Sequence, residues 1–189
     1  MFGFGKKPRS AEEQLQAGKW KCGKCDAEHG WPFDLAARAP DPWPHGEDYE
    51  PNSALRMEGD FLSEDFCVLE GKYFMIRCVL QIPVIGVDEQ FGFGCWSTLS
   101  CENFDKYIDG FDNGEYDDTE MWFGWLCNRL ENLTPGTEPP AVWVQRRPDR
   151  QRPLLWAQDD NFPLAIAQDE GISATRMLEI FRFYGHAPA

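Results

Sequence analysis

Cys22-Gly23-Lys24-Cys25 puts two thiols on one tight turn, and His29 follows shortly after. Two thiols at this spacing can close on one metal ion or on each other. Zinc takes four ligands in a tetrahedron, and Cys-x-x-Cys supplies two of them. The second Cys-x-x-Cys of a zinc ribbon is absent. His29 is near enough to fold back onto the ion, and Cys67 opens a predicted strand that can meet the knuckle in space. The expected metal set is therefore Cys22, Cys25, His29 and Cys67, a Cys₃His zinc site. A closed site of this kind leaves no position for a substrate. Its expected role is structural, with metal binding driving local folding.

Two other outcomes stay open for the pair. Trp20 to Cys25 superficially resembles a thiol-redox site using Cys22 and Cys25, but that chemistry needs a strand before the motif and a helix after it. Here a polar helical stretch precedes the thiols, and acidic, Pro-interrupted sequence follows. The other outcome is two inert reduced thiols. Of the remaining cysteines, Cys78, Cys95 and Cys127 sit in apolar runs and read as core. Cys101 opens a helix, where a thiolate is favoured.

Few other residues carry chemistry. In the frame of a calcium loop over Asp109 to Glu120, Asp109, Asn113, Gly114 and Glu120 fall on ligand and turn positions. Phe111 stands where an oxygen ligand is required, so an acidic surface loop is favoured. His45 lies in a Pro-rich loop and His186 at a C-terminus expected to fray. Asp65, just before Cys67, reads as a strand-initiating surface acid. No Gly-x-Ser-x-Gly, phosphate loop or dinucleotide fingerprint occurs. Trp96, Glu102, Asn103, Trp125 and Asn128 are candidates to line a pocket, which keeps an enzyme near Trp96 and Trp125 as an alternative.

The supporting elements read as follows. Ser10 and Glu13 form a capping box for a helix over Ala11 to Lys19. A turn of helix is expected near Leu35 to Arg38 and another over Ser53 to Glu58. Phe66 to Leu69 and Tyr73 to Ile82 form a hairpin that Pro83 ends. Phe91 to Leu99 follows, with Gly92 and Gly94 marking a bulge or a close backbone approach. Ser100 caps a helix over Cys101 to Ile108. Trp122 to Leu130 is expected as a short helix, and Ala141 to Arg146 and Pro153 to Ala157 as strands. Pro163 to Gln168 and the Ser173-capped Ala174 to Phe183 are helices. The fold class is α+β: an antiparallel, hairpin-built sheet with flanking short helices and a zinc-knuckle-like N-terminal segment. Residues 1–10 read as a flexible tail, 11–60 as the knuckle segment and 61–189 as the α+β body.

The 189 residues include 8 Trp and 14 Phe, enough aromatic bulk for a core. Net charge is −14, which repels phosphate backbones and excludes general nucleic-acid binding. A basic protein partner fits that charge. The cluster Arg146, Arg147, Arg150 and Arg152 reads as a solvated turn between strands. Apolar runs are too short to cross a bilayer, and Met1 to Gly5 lacks a signal peptide's apolar stretch, so a cytoplasmic location is expected.

Several stretches resemble one family. They are Cys22-Gly23-Lys24-Cys25 with His29, Leu62 to Val68, Gln81 to Val84, Phe91 to Trp96, Leu99 to Phe104, Phe123 to Leu126, Arg152-Pro153, and Pro163-Leu164-Ala165 with Glu170-Gly171-Ile172. In order over roughly residues 20 to 180, they are similar to the bacterial proteins grouped as domain of unknown function 2199. The resemblance implies a single-domain bacterial protein and no particular activity. It places the thiol pair, His29 and Cys67 in family-like segments. Phe162 departs from it, standing where the family usually has a His before Pro-Leu-Ala. The resulting expectation is a zinc-stabilised, non-enzymatic binding protein.

Overall fold

A long apolar strand in mid-chain needs partners on both edges and cover on both faces. The computed structural model describes residues 9–22, 24–25, 27–112, 114 and 120–186. Most of the expected basic tail lies outside them. In chain order the elements are α1 (Ala11–Leu15), β1 (Trp20–Lys21), β2 (Glu28–His29), β3 (Leu35–Ala36), β4 (Phe61–Leu62), β5 (Phe66–Leu69), β6 (Tyr73–Ile85), β7 (Gln90–Leu99) and α2 (Cys101–Phe111). There follow β8 (Met121–Trp125), β9 (Ala141–Gln145), β10 (Leu154–Ala157), α3 (Pro163–Glu170), β11 (Ile172–Ser173) and α4 (Ala174–Phe183).

β6 is the spine. β7 runs antiparallel along one edge, from Phe74 opposite Leu99 to Pro83 opposite Gln90. Three strands share the other edge in series. β5 pairs antiparallel with Tyr73 to Ile76, β10 parallel at Val79, and β11 parallel at Val84 and Ile85. From β10 the sheet continues antiparallel through β9 to β8. It then curls back to β7: Leu126 bridges Ser97, and the Cys127 N–H donates to the Trp96 carbonyl at 2.8 Å. The strands β6, β10, β9, β8 and β7 therefore make a nearly closed ring.

Alternation along β6 sorts its side chains. Phe74, Ile76, Cys78, Leu80, Ile82 and Val84 face the main core, which helices α2, α3 and α4 help to cover. Ser100 accepts from the Asn103 N–H to start α2, and Ser173 from the Arg176 N–H to start α4, as expected for hydroxyl caps. Met177, Ile180 and Phe181 of α4 are buried. On the opposite face, Met75 joins Leu62, Cys67 and Trp96 in a smaller cluster, with the Arg77 guanidinium 5.9 Å from the Trp96 ring.

Some expected elements are corrected. Leu35 and Ala36 form a strand parallel to β7, not a helical turn. The Asp34 carboxylate accepts the Gly92 N–H at 2.7 Å, and a Cβ at Gly94 would lie 3.0 Å from the Ala36 Cβ. Gly92 and Gly94 thus mark a close backbone approach. Trp122 to Leu130 is not helical, because Met121–Trp125 pairs with β9 and alternates exposed and buried. β6 runs past Pro83, since β11 supports Val84 and Ile85. Of the helix expected over Ser53 to Glu58, only Ser53 and Ala54 are helical, within the 3₁₀ turn Asn52–Ala54.

The arginine cluster is only in part a solvated turn: Arg150 is exposed in the turn between β9 and β10, but two of its neighbours are engaged. Arg146 is buried, stacks 4.0 Å from the Trp122 ring centroid and pairs with Glu120. Arg152 pairs with Glu64 and Asp65, tying the β9–β10 connection to β5. Among the described residues, no helix is long and apolar enough to cross a membrane.

Gly124 is where β8 presses on β7. A Cβ there would collide with the Ser97 hydroxyl and the Thr98 carbonyl, whereas one at Gly46 would meet nothing within 4 Å. Gly124→Ala is expected to cost about 1–3 kcal/mol and Gly46→Ala less than about 0.5 kcal/mol. Thermal unfolding of both variants checks this; equal melting temperatures would show that the β7–β8 seam yields freely.

Candidate metal centre

The thiol pair sits at the end of a small hairpin. β1 and β2 pair Trp20 with His29 and Lys21 with Glu28, and the Cys22 N–H donates to the Ala27 carbonyl at 2.8 Å. This brings Cys25 Sγ to 3.1 Å from His29 Nε2. The Lys24 N–H donates to Cys22 Sγ at 3.3 Å, a bond that favours the thiolate.

The fourth group comes from the far end of the chain. α4 stops at Tyr184, and Gly185 takes φ +79°, the left-handed conformation that glycine adopts without strain. The His186 N–H donates back to the Phe181 carbonyl at 2.7 Å and the Gly185 N–H to Arg182 at 3.0 Å. These two bonds are a Schellman cap, and they fix where His186 stands. Its carbonyl also accepts the Trp20 indole N–H at 2.9 Å, while Lys24 Nζ reaches the Tyr184 carbonyl at 2.9 Å. Phe33 packs beneath both imidazoles, with centroids 3.9 Å from His29 and 5.5 Å from His186.

Cys22, Cys25, His29 and His186 thus offer four ligand atoms that all lie within 4.8 Å of one another. Cys22 Sγ is 3.3 Å from His186 Nδ1, and Cys25 Sγ is 3.9 Å from the same nitrogen. A tetrahedral ion with ordinary Zn–S and Zn–N bonds has S···N edges of about 3.5 Å, close to the S···N distances of 3.1, 3.3 and 3.9 Å in the cluster. Burial pushes the Cys22 thiol upward, but the Cys25 and Lys24 N–H groups, the Cys25 thiol and the Lys24 charge outweigh it, and the net shift is downward. Burial, with the His29 and Lys24 charges, holds His186 below the usual histidine range. Both shifts favour the deprotonated forms that bind metal.

Cys67, expected as the fourth ligand, is not in this cluster. The β5–β6 register turns Phe66 and Val68 to the main core and Cys67 to the opposite face, against Leu62, Met75 and Trp96. It is fully buried there, and burial pushes its thiol up to about 12. His186 replaces it. The sequence signal was Gly185 directly after an apolar helix end, which fixes the next residue instead of letting it fray.

The other candidates separate. Asp109 and Phe111 are helical in α2 and Glu120 is engaged by Arg146, while Asn113 and residues 115–119 of the calcium frame lie outside the described residues. Asp65 accepts from Asn52 and Arg152. Trp96 is fully buried, whereas Trp125 and Asn128 border a cleft of 980 Å³. Cys127 borders it too, but burial pushes its thiol up to about 12.

An α+β scaffold with a Cys₂His₂-type cluster able to hold a metal ion is the class this geometry defines. The chain belongs to the family DUF2199, described as "Uncharacterized protein conserved in bacteria", whose model matches residues 21–172. No curated protein and no solved structure matches it. The family match contains Cys22, Cys25 and His29 and ends before His186.

The two ligand sets are separable in solution. In a Co²⁺ titration followed by thiolate charge-transfer absorption, Cys67→Ala is expected to bind as the unsubstituted protein does. His186→Ala should lose more than the roughly 10–100-fold that removal of an outer-shell support costs. The reverse pattern would restore Cys67 as the ligand.

Proposed function

We propose that this protein is a zinc-stabilised binding protein without catalysis of its own, and that its partner is a basic macromolecule. The observation that carries the zinc reading is the convergence of two thiols and two imidazoles within 4.8 Å from opposite ends of the chain. Sulfur and imidazole donors in a tetrahedron suit zinc over calcium or magnesium, which take oxygen. Four protein ligands fill a tetrahedral ion, so the site holds the chain together and leaves no place for a reacting molecule. The net charge of −14 supports a basic partner and disfavours nucleic acid.

The enzyme reading has one observation in its favour, the 980 Å³ cleft beside Trp125. Two of its polar side chains, Asp41 and Asn128, are already committed. Asp41 accepts from Asn128 Nδ2 at 2.9 Å and from the Arg129 N–H at 3.0 Å, and Asn128 also accepts the Trp96 N–H at 2.9 Å. The thiol-redox reading needs a helix N-terminus after the first cysteine; the pair sits instead in a hairpin turn beside two imidazoles.

The purified protein is expected to carry roughly one zinc per chain by elemental analysis. An ion bridging Cys22 and His186 joins positions 164 residues apart. The chain-entropy argument gives such a link at most about 5 kcal/mol, or a fall in Tm of roughly 10–20 °C on chelation. Hydrogen exchange should rise together at Trp20 to His29 and at Phe181 to His186. Metal-free protein with an unchanged Tm would end the zinc reading.

A further inference from the structure

The outward face of β8, β9 and β10 carries an aromatic row that the fold does not use. Along these strands the inward residues Trp122, Val142, Val144 and Leu155 are buried in the core. The residues between them point out: Phe123 is 41% exposed, Trp125 45%, Trp143 36% and Trp156 37%. They are in register. Phe123 lies opposite Trp143, and Trp143 opposite Trp156, so one row crosses three strands. Phe123 packs edge-on against Trp125 with centroids 5.2 Å apart, and the Trp156 indole N–H donates to Gln145 Oε1 at 2.8 Å. The rings are therefore held in place before anything binds. A monomer rarely exposes an apolar patch of this kind without an interaction to serve.

The row joins two hollows of different character. Trp125 borders the 980 Å³ cleft, whose walls include Leu69, Tyr73 and Met75. Trp156 borders a 520 Å³ hollow lined by three carboxylates, Asp160, Asp169 and Glu170. A tryptophan wall with carboxylates beside it is suited to a lysine or arginine side chain through cation–π and charge attraction. The charge selects among occupants. A second copy brings another −14 and is repelled. A neutral polysaccharide can stack on the rings and donate hydroxyl hydrogen bonds to the carboxylates, but gains nothing from their charge.

We infer that the outer face of β8–β10 is the docking surface for an extended, basic segment of another protein, in which cationic side chains alternate with apolar ones. Apolar side chains stack on the row and enter the Trp125 cleft, and a cation enters the hollow at Trp156. The inference rests on the basic-partner reading and gives that partner a defined place.

The probe is a fluorescein-labelled dodecapeptide of alternating arginine and leucine, with alternating glutamate and leucine as its counterpart, followed by anisotropy. The basic peptide is expected to bind saturably, with an affinity that falls as salt rises, and the acidic one not to bind. Trp143→Ala with Trp156→Ala should weaken binding at least about tenfold. Asp160→Asn with Asp169→Asn should weaken it less and flatten the salt dependence. Asp160 and Asp169 are exposed and the two indoles partly so, so far-UV circular dichroism is expected to confirm that the variants fold, with no more than a modest fall in Tm from the lost Trp143–Trp156 pair.

Undiminished binding by the tryptophan variant would overturn the docking face while leaving the basic-partner reading intact. No binding of the basic peptide, or equal binding of the acidic one, would overturn both. Two further results would give the face another occupant and overturn the proposal: a dimer in sedimentation velocity that Trp143→Ala dissociates, or retention on insoluble cellulose or chitin through the same tryptophans.

Discussion

The backbone of β6 sets the terms for the rest of the molecule. Its thirteen residues run through the interior, and a buried N–H or C=O without a partner costs as much as a lost hydrogen bond. One edge is satisfied by its own hairpin with β7. The other edge is longer than any single strand that follows, so β5, β10 and β11 divide it. Two of these approach in parallel because they arrive from the far end of the chain. That requirement folds residues 141–173 back onto the middle of the sequence, bends the sheet towards closure and sets α3 and α4 over the main core.

The candidate metal centre follows from that arrangement. β11 runs directly into α4, and α4 packs its apolar stripe on the core, where Phe181 meets Trp20 and Phe33. The cap of α4 then points His186 at the knuckle. On the other side, α1 packs against α4 and β3 joins β7, which hold the knuckle in reach. Two segments far apart in sequence meet because each is anchored separately to the same sheet and helix.

Features settled within a few residues were legible in the sequence. The serine caps of α1, α2 and α4, the turn at Glu70 and Gly71 and the β5–β6–β7 order depend on local chemistry. Features settled by distant partners were not. β8 carries apolar residues on both faces, the outward Phe123 and Trp125 and the inward Trp122, so its period of two was hidden and the segment was expected as a short helix. Arg146 and Arg152 read as solvated because their carboxylates, Glu120 and Glu64, come from connections distant in sequence. Three of the four clustered ligand residues came from the knuckle itself. The fourth member, His186, was not anticipated, and Cys67 was expected in its place because residue type was weighed without the hairpin register that turns it to the other face.

His186 is held by the last turn of a helix whose body lies in the core. Any ion gripped by this cluster is therefore thermodynamically linked to the packing of Met177, Ile180 and Phe181. Linkage is reciprocal: whatever free energy the ion lends to the seating of α4, the seating of α4 lends to the ion's affinity. Metal affinity in this fold is a property of the hydrophobic core as much as of the four side chains that touch the ion.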